Sequence, residues 1–220
     1  MKMTPVCLQL ETNRTGRDFV VGDLHGYISK LWQQLEALNF NPEADRLIAV
    51  GDLIDRGPES AEALELLQHP WFFTVLGNHE HLMIESLKYH NSTMRLTWLQ
   101  NGGDWITTTR AEQWSAWLEQ LEALPLGIEV AGPSGTRYGI VHADYPRHNW
   151  AEFSQMSADE CERAVWARDS FRKRLEHRIE GIDWVIHGHN ISDGELTLGN
   201  RIYIEPGAFL GNDLIIKELI

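Results

Sequence analysis

The sequence predicts an α/β fold: a parallel sheet with helices on its faces and a second sheet packed against it. Three observations predict it. Short apolar runs rich in β-branched and aromatic residues recur along the chain. Patterns of helical period separate the first three of these runs. Three further short runs close the chain.

Phe19-Val20-Val21 reads as the first buried strand, followed by Ile28, Leu31, Trp32, Leu35 and Leu38 at helical spacing. Leu47-Ile48-Ala49-Val50 is the second strand, Ala61, Leu64 and Leu67 mark a second helix, and Phe72-Phe73-Thr74-Val75-Leu76 is the third strand. Strand, helix, strand, helix, strand implies parallel neighbours. Trp114, Trp117, Leu118, Leu121 and Leu124 recur on a further helix, and a stripe at this spacing is a core-facing surface more often than a binding groove. Tyr138-Gly139-Ile140-Val141 and Trp184-Val185-Ile186 are the fourth and fifth strands. Leu196-Thr197-Leu198, Arg201-Ile202-Tyr203-Ile204 and Leu214-Ile215-Ile216 are read as the second sheet.

The 220 residues suit one domain spanning residues 1–220, and 43% hydrophobic with 23% charged residues is the balance of a soluble globular protein. No apolar run approaches the ~20 residues that span a bilayer. Met1-Lys2-Met3-Thr4-Pro5-Val6-Cys7 has no apolar stretch behind it and does not read as a signal peptide, which leaves the cytoplasm as the expected compartment. Cys7 and Cys161 are expected to be free thiols there. A net charge of −13 disfavours nucleic-acid partners, and an anionic substrate would need local cations to approach. The chain shows no coiled coil or tail, so monomer is the default state.

Each of the five strands ends in a polar cluster. In order these are Gly22-Asp23-Leu24-His25-Gly26, Gly51-Asp52-Leu53-Ile54-Asp55-Arg56-Gly57, Gly77-Asn78-His79-Glu80, His142-Ala143-Asp144 and His187-Gly188-His189-Asn190. Open α/β sheets bind ligands at the carboxyl ends of their strands. Carboxylate, amide oxygen and imidazole suit Mn, Fe or Zn, and no thiolate is offered. Six such ligands are too many for one catalytic ion with open positions, but shared between two ions they leave room for water. Each cluster alone has a plainer reading. Gly-Asp is common in turns, a lone His142 would more often be a packed core histidine, Asn78 could cap a helix, and Arg56 could be a surface cation. The metal-site reading rests on all five ending strands of one chain.

The first three clusters, with their spacing, resemble the signature blocks of the PPP family of metallophosphatases. Asn101-Gly102-Gly103-Asp104-Trp105, His142-Ala143-Asp144-Tyr145-Pro146 and Trp166-x-Arg168 resemble its compact bacterial and bacteriophage-type serine/threonine protein phosphatases, such as the phage lambda enzyme. The resemblance runs from about Asp18 to Ala208. It implies a calcineurin-like metallophosphoesterase sandwich of two sheets flanked by helices. It implies two divalent ions, Mn²⁺ first, with Fe or Zn as alternatives. Asp23 and His25 would hold the first ion, Asp52 would bridge both, and Asn78, His142 and His189 would hold the second. His189 is preferred to His187 because the family's last ligand follows a glycine. His79 would be the general acid, oriented by Asp55, and Arg56 and Arg168 would grip the phosphate. The chain departs from the pattern at Glu205-Pro206-Gly207-Ala208, Asn190-Ile191 and Tyr27, which bears on the substrate surface and not on any ligand.

The expected reaction is hydrolysis of phosphate monoesters on phosphoproteins, at phosphoserine or phosphothreonine, with phosphotyrosine and phosphohistidine as further candidates. Hydroxide bridging the two ions would attack in line. Related hydrolases of dinucleoside polyphosphates such as diadenosine tetraphosphate share the motif set but tend to be longer and often carry Gln where this chain has His25. A phosphodiesterase acting on a small cyclic nucleotide and a non-hydrolysing phosphoprotein scaffold are the remaining alternatives. His69, His81, His90, His148 and His177 read as solvated or packed, with His81 close enough to the third cluster to support a ligand.

Overall fold

The computed structural model describes residues 2–220. In chain order its elements are strands β1 (Cys7–Leu10) and β2 (Asp18–Val21), helix α1 (Ile28–Ala37), β3 (Arg46–Ala49), α2 (Ser60–Glu65), β4 (Phe72–Thr74), α3 (Asn78–Leu87), α4 (Ser92–Gln100) and α5 (Ala111–Glu122). They continue with β5 (Gly127–Ala131), β6 (Arg137–Ile140), α6 (Ala158–Trp166), α7 (Asp169–Arg172), β7 (Trp184–Ile191), β8 (Leu196–Leu198), β9 (Arg201–Glu205) and β10 (Ile216–Leu219).

Two mixed sheets form the centre. One has four strands in the order β10-β2-β3-β4, the other six in the order β1-β5-β6-β7-β9-β8. β2, β3 and β4 run parallel, as the alternation with helices predicts. The division between sheets differs from the one read in the sequence. β6 and β7, read with the first three strands, pair with each other, and β7 pairs with β9, in the six-stranded sheet. The last run starts at Ile216 and pairs antiparallel with β2, so it closes the first sheet instead of joining the second.

The period of two within each strand explains the layering. Val20, Ile48, Val50 and Val75 from one sheet meet Ile128, Val130, Ile140, Ile186 and Ile204 from the other in a core between the sheets. Phe19, Val21, Leu47 and Ala49 point the opposite way, into a second core under α1, α3 and their neighbours. Both faces of β2 are therefore buried, and its sequence shows no polar alternation. On α1 the core takes Ile28, Leu31 and Leu35, leaving Trp32 43% exposed. On α5 it takes Trp117 and Leu121, with Trp114 and Leu118, and Leu124 just past the helix, packed partly against it, so the aromatic stripe faces inward. Cys7 and Cys161 are free thiols. Among the described residues no helix is long and apolar enough to cross a membrane.

Candidate active site

β2, β3 and β6 each deliver their first polar residues from the turn just past the carboxyl end, Asn78 after β4 is the first residue of α3, and β7 continues through its cluster. Asp23, His25, Asp52, Asn78, His142 and His189 meet in one bay, all at 6% exposure or less. His25, Asp52 and His79 offer ligand atoms within 4.8 Å of one another, and so do Asp52, His142 and His189. Asp52 is common to both groups. Asp23 lies at the edge of the first, its Oδ2 at 3.9 Å from His25 Nε2. Asn78 Oδ1 is 3.0 Å from His142 Nε2.

The hydrogen bonds of the imidazoles show what the bay is fitted for. His25 Nδ1 is 3.0 Å from the Ile54 carbonyl, and His142 Nδ1 is 2.7 Å from that of Val50. A carbonyl only accepts, so each of these nitrogens carries a proton, and in the neutral ring each Nε2 is left as a lone pair. His189 is tied the other way, with Nε2 at 3.2 Å from the Trp166 carbonyl, which frees Nδ1. In the neutral ring the lone pair of His142 Nε2 faces the Asn78 oxygen and also Asp52 Oδ1 at 3.4 Å. Three acceptors so close repel unless a proton or a metal cation lies among them. Rings anchored through one nitrogen and neutral on the other are what metal ligation requires.

The electrostatics agree. Burial first, then neighbouring imidazoles, holds His25 and His189 well below the usual histidine range, so both are neutral. Burial, then Glu205 and Asp52, pushes Asp23 well above the usual carboxylate range. Burial also penalises Asp52, and what holds that carboxyl well below its usual range is positive charge beside it, on His142 and His79 before His25, a place that bound cations would take when the rings are neutral. Two further carboxylates with no role read from the sequence brace the loops behind the bay. Glu80 accepts the N–H groups of Asp52, Leu53 and Gly77 at 2.9, 2.8 and 3.0 Å, and burial and Asp52 push it up to about 7. Glu205 accepts those of Asp23 and Gly207 at 3.1 and 2.8 Å and is likewise pushed up to about 7, chiefly by burial. The departure at Glu205 therefore lies beneath the Asp23 loop, at 1% exposure, and not on the substrate surface as expected from the sequence. So much buried negative charge is offset best by divalent cations.

The loops are held in unusual backbone conformations. Among the described residues eight non-glycine positions have positive φ, and five of them are His25, Asp52, Asp55, Arg56 and His189. Such conformations cost about 1–3 kcal/mol each and persist where the surroundings enforce them, typically at working sites. His187 and His189 would share a face of a regular strand, but the β7–β9 register shifts between His187 and Ile191, and His189 has φ +60°. The bulge separates them: His187 hydrogen-bonds Val141 O at 2.8 Å and stacks on Tyr203, while His189 turns into the bay. Gly188 makes room between them, because a Cβ there would stand 2.0 Å from Asp23 Oδ1. The His189 N–H donates to both Asp23 oxygens at 3.2 and 3.0 Å across that gap.

His79 Nε2 faces the bay at 3.9 Å from Asp52 Oδ2, and its Nδ1 meets Asp55 Oδ2 at 2.6 Å. Burial works against charge on His79, but Asp52 and Asp55 outweigh it and raise the ring's pKa. Trp98 and Trp105, in which the sequence alone shows no catalytic meaning, also donate to Asp55. Arg56 stands exposed at the mouth, with Nη1 at 2.7 Å from His25 Nε2 and its guanidinium over the Phe209 ring at 4.2 Å. Arg168 is half-buried and donates Nη1 to the His189 carbonyl at 2.7 Å and to Asn190 Oδ1 at 3.3 Å. His81 is reached through Trp166, whose indole N–H donates to His81 Nδ1 at 3.0 Å while its carbonyl holds His189.

Known proteins share this arrangement of strands and loops. Residues 19–194 match the family model described as calcineurin-like phosphoesterase. The chain is 38% identical over 202 residues to serine/threonine-protein phosphatase 2 of Salmonella typhimurium, covering 89% of each chain. It is 32% identical over 154 residues to a symmetrical bis(5′-nucleosyl)-tetraphosphatase of Methylococcus capsulatus, covering 69% of this chain but only 51% of that longer one. A solved serine/threonine phosphatase from Saccharomyces cerevisiae superposes with a TM-score of 0.61 over 98% of this chain and 84% of that one at 15% identity, a likeness of fold.

Proposed function

We propose that this chain, which belongs to the calcineurin-like phosphoesterase family, is a two-metal phosphatase that removes phosphate from phosphoserine and phosphothreonine in proteins. The observation that carries the reading is the set of lone pairs on His25, His142 and His189, anchored from behind and gathered around a carboxylate common to both groups. Asp23, His25 and Asp52 would hold one ion, and Asp52, Asn78, His142 and His189 the other. Mn²⁺ fits this set of oxygen and imidazole donors, with Fe or Zn as alternatives. When bound, two such ions lower the pKa of a coordinated water and neutralise charge on the transferred phosphoryl group.

The chain's own residues supply the rest. Arg56 and Arg168 flank the bay and can present planar forks to phosphate oxygens, which Lys could not. Arg168 is anchored through Nη1, so its remaining N–H groups stay available for substrate. The leaving serine or threonine alkoxide is strongly basic and needs a proton. His79 Nε2 can give one while Asp55 fixes the ring and stabilises its charged form.

The match to a bis(5′-nucleosyl)-tetraphosphatase keeps dinucleoside polyphosphate hydrolysis as the second reading. The greater length of that relative and the near-equal length shared with the protein phosphatase favour the first. The deciding experiment strips the protein with chelator and assays p-nitrophenyl phosphate, a phosphoserine peptide and diadenosine tetraphosphate with Mn²⁺, Mg²⁺, Zn²⁺ or none. Mn²⁺-restored release of phosphate from the peptide is expected. Faster release of adenine nucleotides would reverse the ranking.

A further inference from the structure

Two indole N–H groups converge on the carboxylate that faces His79. Asp55 is fully buried. Its Oδ2 meets His79 Nδ1 at 2.6 Å, Trp98 Nε1 donates to Oδ2 and Oδ1 at 2.9 and 3.1 Å, and Trp105 Nε1 donates to Oδ1 at 2.7 Å. A carboxylate has about four lone-pair positions in its plane, and an indole N–H can only donate. The two indoles therefore fix both the plane of the carboxylate and which oxygen turns to His79. The Asp55 N–H is held as well, by Ser60 Oγ at 2.9 Å.

The local sequence is shaped for this arrangement. Trp98 lies two residues before the end of α4 and is 1% exposed. A Cβ on Gly103 would stand 2.5 Å from Trp98 Nε1 and Cε2, so only bare backbone fits against that indole. Trp105 follows in the short 3₁₀ turn Gly103–Thr108 and packs on Trp117 of α5 with ring centroids 5.9 Å apart. The segment Asn101-Gly102-Gly103-Asp104-Trp105 stands out in the sequence yet supplies no metal ligand and no phosphate cation. Its contacts make it one side of a bracket around Asp55.

We propose that Trp98 and Trp105 are positioning residues for dephosphorylation, locking the Asp55 carboxylate so that His79 is aimed at the leaving oxygen. The proposal rests on the reading of His79 as the general acid. Both tryptophans act through Asp55, so their contribution is felt where a proton must be delivered to a basic leaving group.

The test compares W105F, W98F, D55N and the W105F/D55N double variant on a phosphoserine peptide and on p-nitrophenyl phosphate, with bound metal measured for each. General acid help is worth ~10²–10⁴ in rate, so misaiming the acid should cost W105F roughly tenfold in kcat on the peptide. KM should stay within about twofold and the loss on p-nitrophenyl phosphate should be smaller. In the D55N background W105F should cost almost nothing more, because residues acting through one group are not additive. A full tenfold cost of W105F on top of D55N, or equal losses on both substrates, would overturn the role of the tryptophans while leaving His79 as the acid. No loss in D55N itself would instead remove the acid reading on which the proposal stands. W98F gives a second, independent answer by the same criteria.

Discussion

His79 Nδ1 lies 2.6 Å from Asp55 Oδ2, with both side chains at 1% exposure or less. The contact fixes the ring, sets Nε2 toward the bay, and makes the protonated form available in a site otherwise hostile to charge. His79→Asn should therefore keep its metal and its fold while losing roughly 10²-fold or more in kcat on a phosphoserine peptide. The loss on p-nitrophenyl phosphate, whose leaving group departs without a proton, should be smaller. Steady-state kinetics on the two substrates checks this, and equal losses would count against the acid role.

Asp52 is the residue both groups of ligand atoms share, and its Oδ1 also accepts the His79 backbone N–H at 2.9 Å. Asp52→Asn halves the acceptor capacity and removes a charge at the centre of the bay. Loss of several kcal/mol of electrostatic stabilisation corresponds to at least about 10²-fold in rate. Elemental analysis after dialysis should find both ions depleted. Two tightly held ions in that variant would show that Asp52 does not bridge.

How much of this is legible in the sequence depends on which interactions are local. The strand-end clusters stand out because each follows its strand directly, so Asp23, Asp52 and Asn78 can be placed at one edge from their spacing alone. The allocation of β6, β7 and β10 between sheets cannot be read, because short apolar runs look alike whichever neighbour they pair with. β1 and β5 also escape the pattern: β1 has only half-buried or exposed residues and no alternation. The bonds from Trp98 and Trp105 to Asp55 span 43 and 50 residues, and nothing local in the sequence announces such a partner. The choice between His187 and His189 turns on a bulge, a feature of pairing with β9 that neither histidine encodes by itself.

Gly188 offers a narrow probe of Asp23. A methyl group there would stand 2.0 Å from Asp23 Oδ1 and 2.5 Å from Val50 Cγ2, so the carboxylate must move in Gly188→Ala, with the Val50 side chain giving way beside it. Disturbing the support of a ligand typically lowers metal affinity 10–100-fold. The Mn²⁺ concentration for half-maximal activity should rise by about that factor with an unchanged far-ultraviolet circular dichroism spectrum. An unaltered Mn²⁺ dependence would remove Asp23 from the ligand set.

His81 gives a prediction about pH and stability. Its Nδ1 accepts the Trp166 indole N–H at 3.0 Å, so the ring is neutral when folded, and burial pushes its pKa down to about 4. Glu85 Oε1, 3.9 Å from Nε2, is too distant to reverse that. In the unfolded chain an ordinary histidine titrates near ~6.5. Between those two values the unfolded state binds the proton and the folded state resists it, so stability falls as pH drops from about 6.5 toward 4. His81→Gln keeps an acceptor for the indole but removes this proton. Denaturant melts of chelated protein at pH 7 and pH 5 should show the variant losing less stability across that interval than the parent, by at most the slope of one proton. The Trp166 carbonyl that anchors His189 is on the same residue, so the variant should also retain its metal affinity if the new amide holds the indole in place. An identical pH dependence in both proteins would mean that His81 titrates alike in the folded and the unfolded chain, and that neither burial nor the Trp166 bond keeps it neutral.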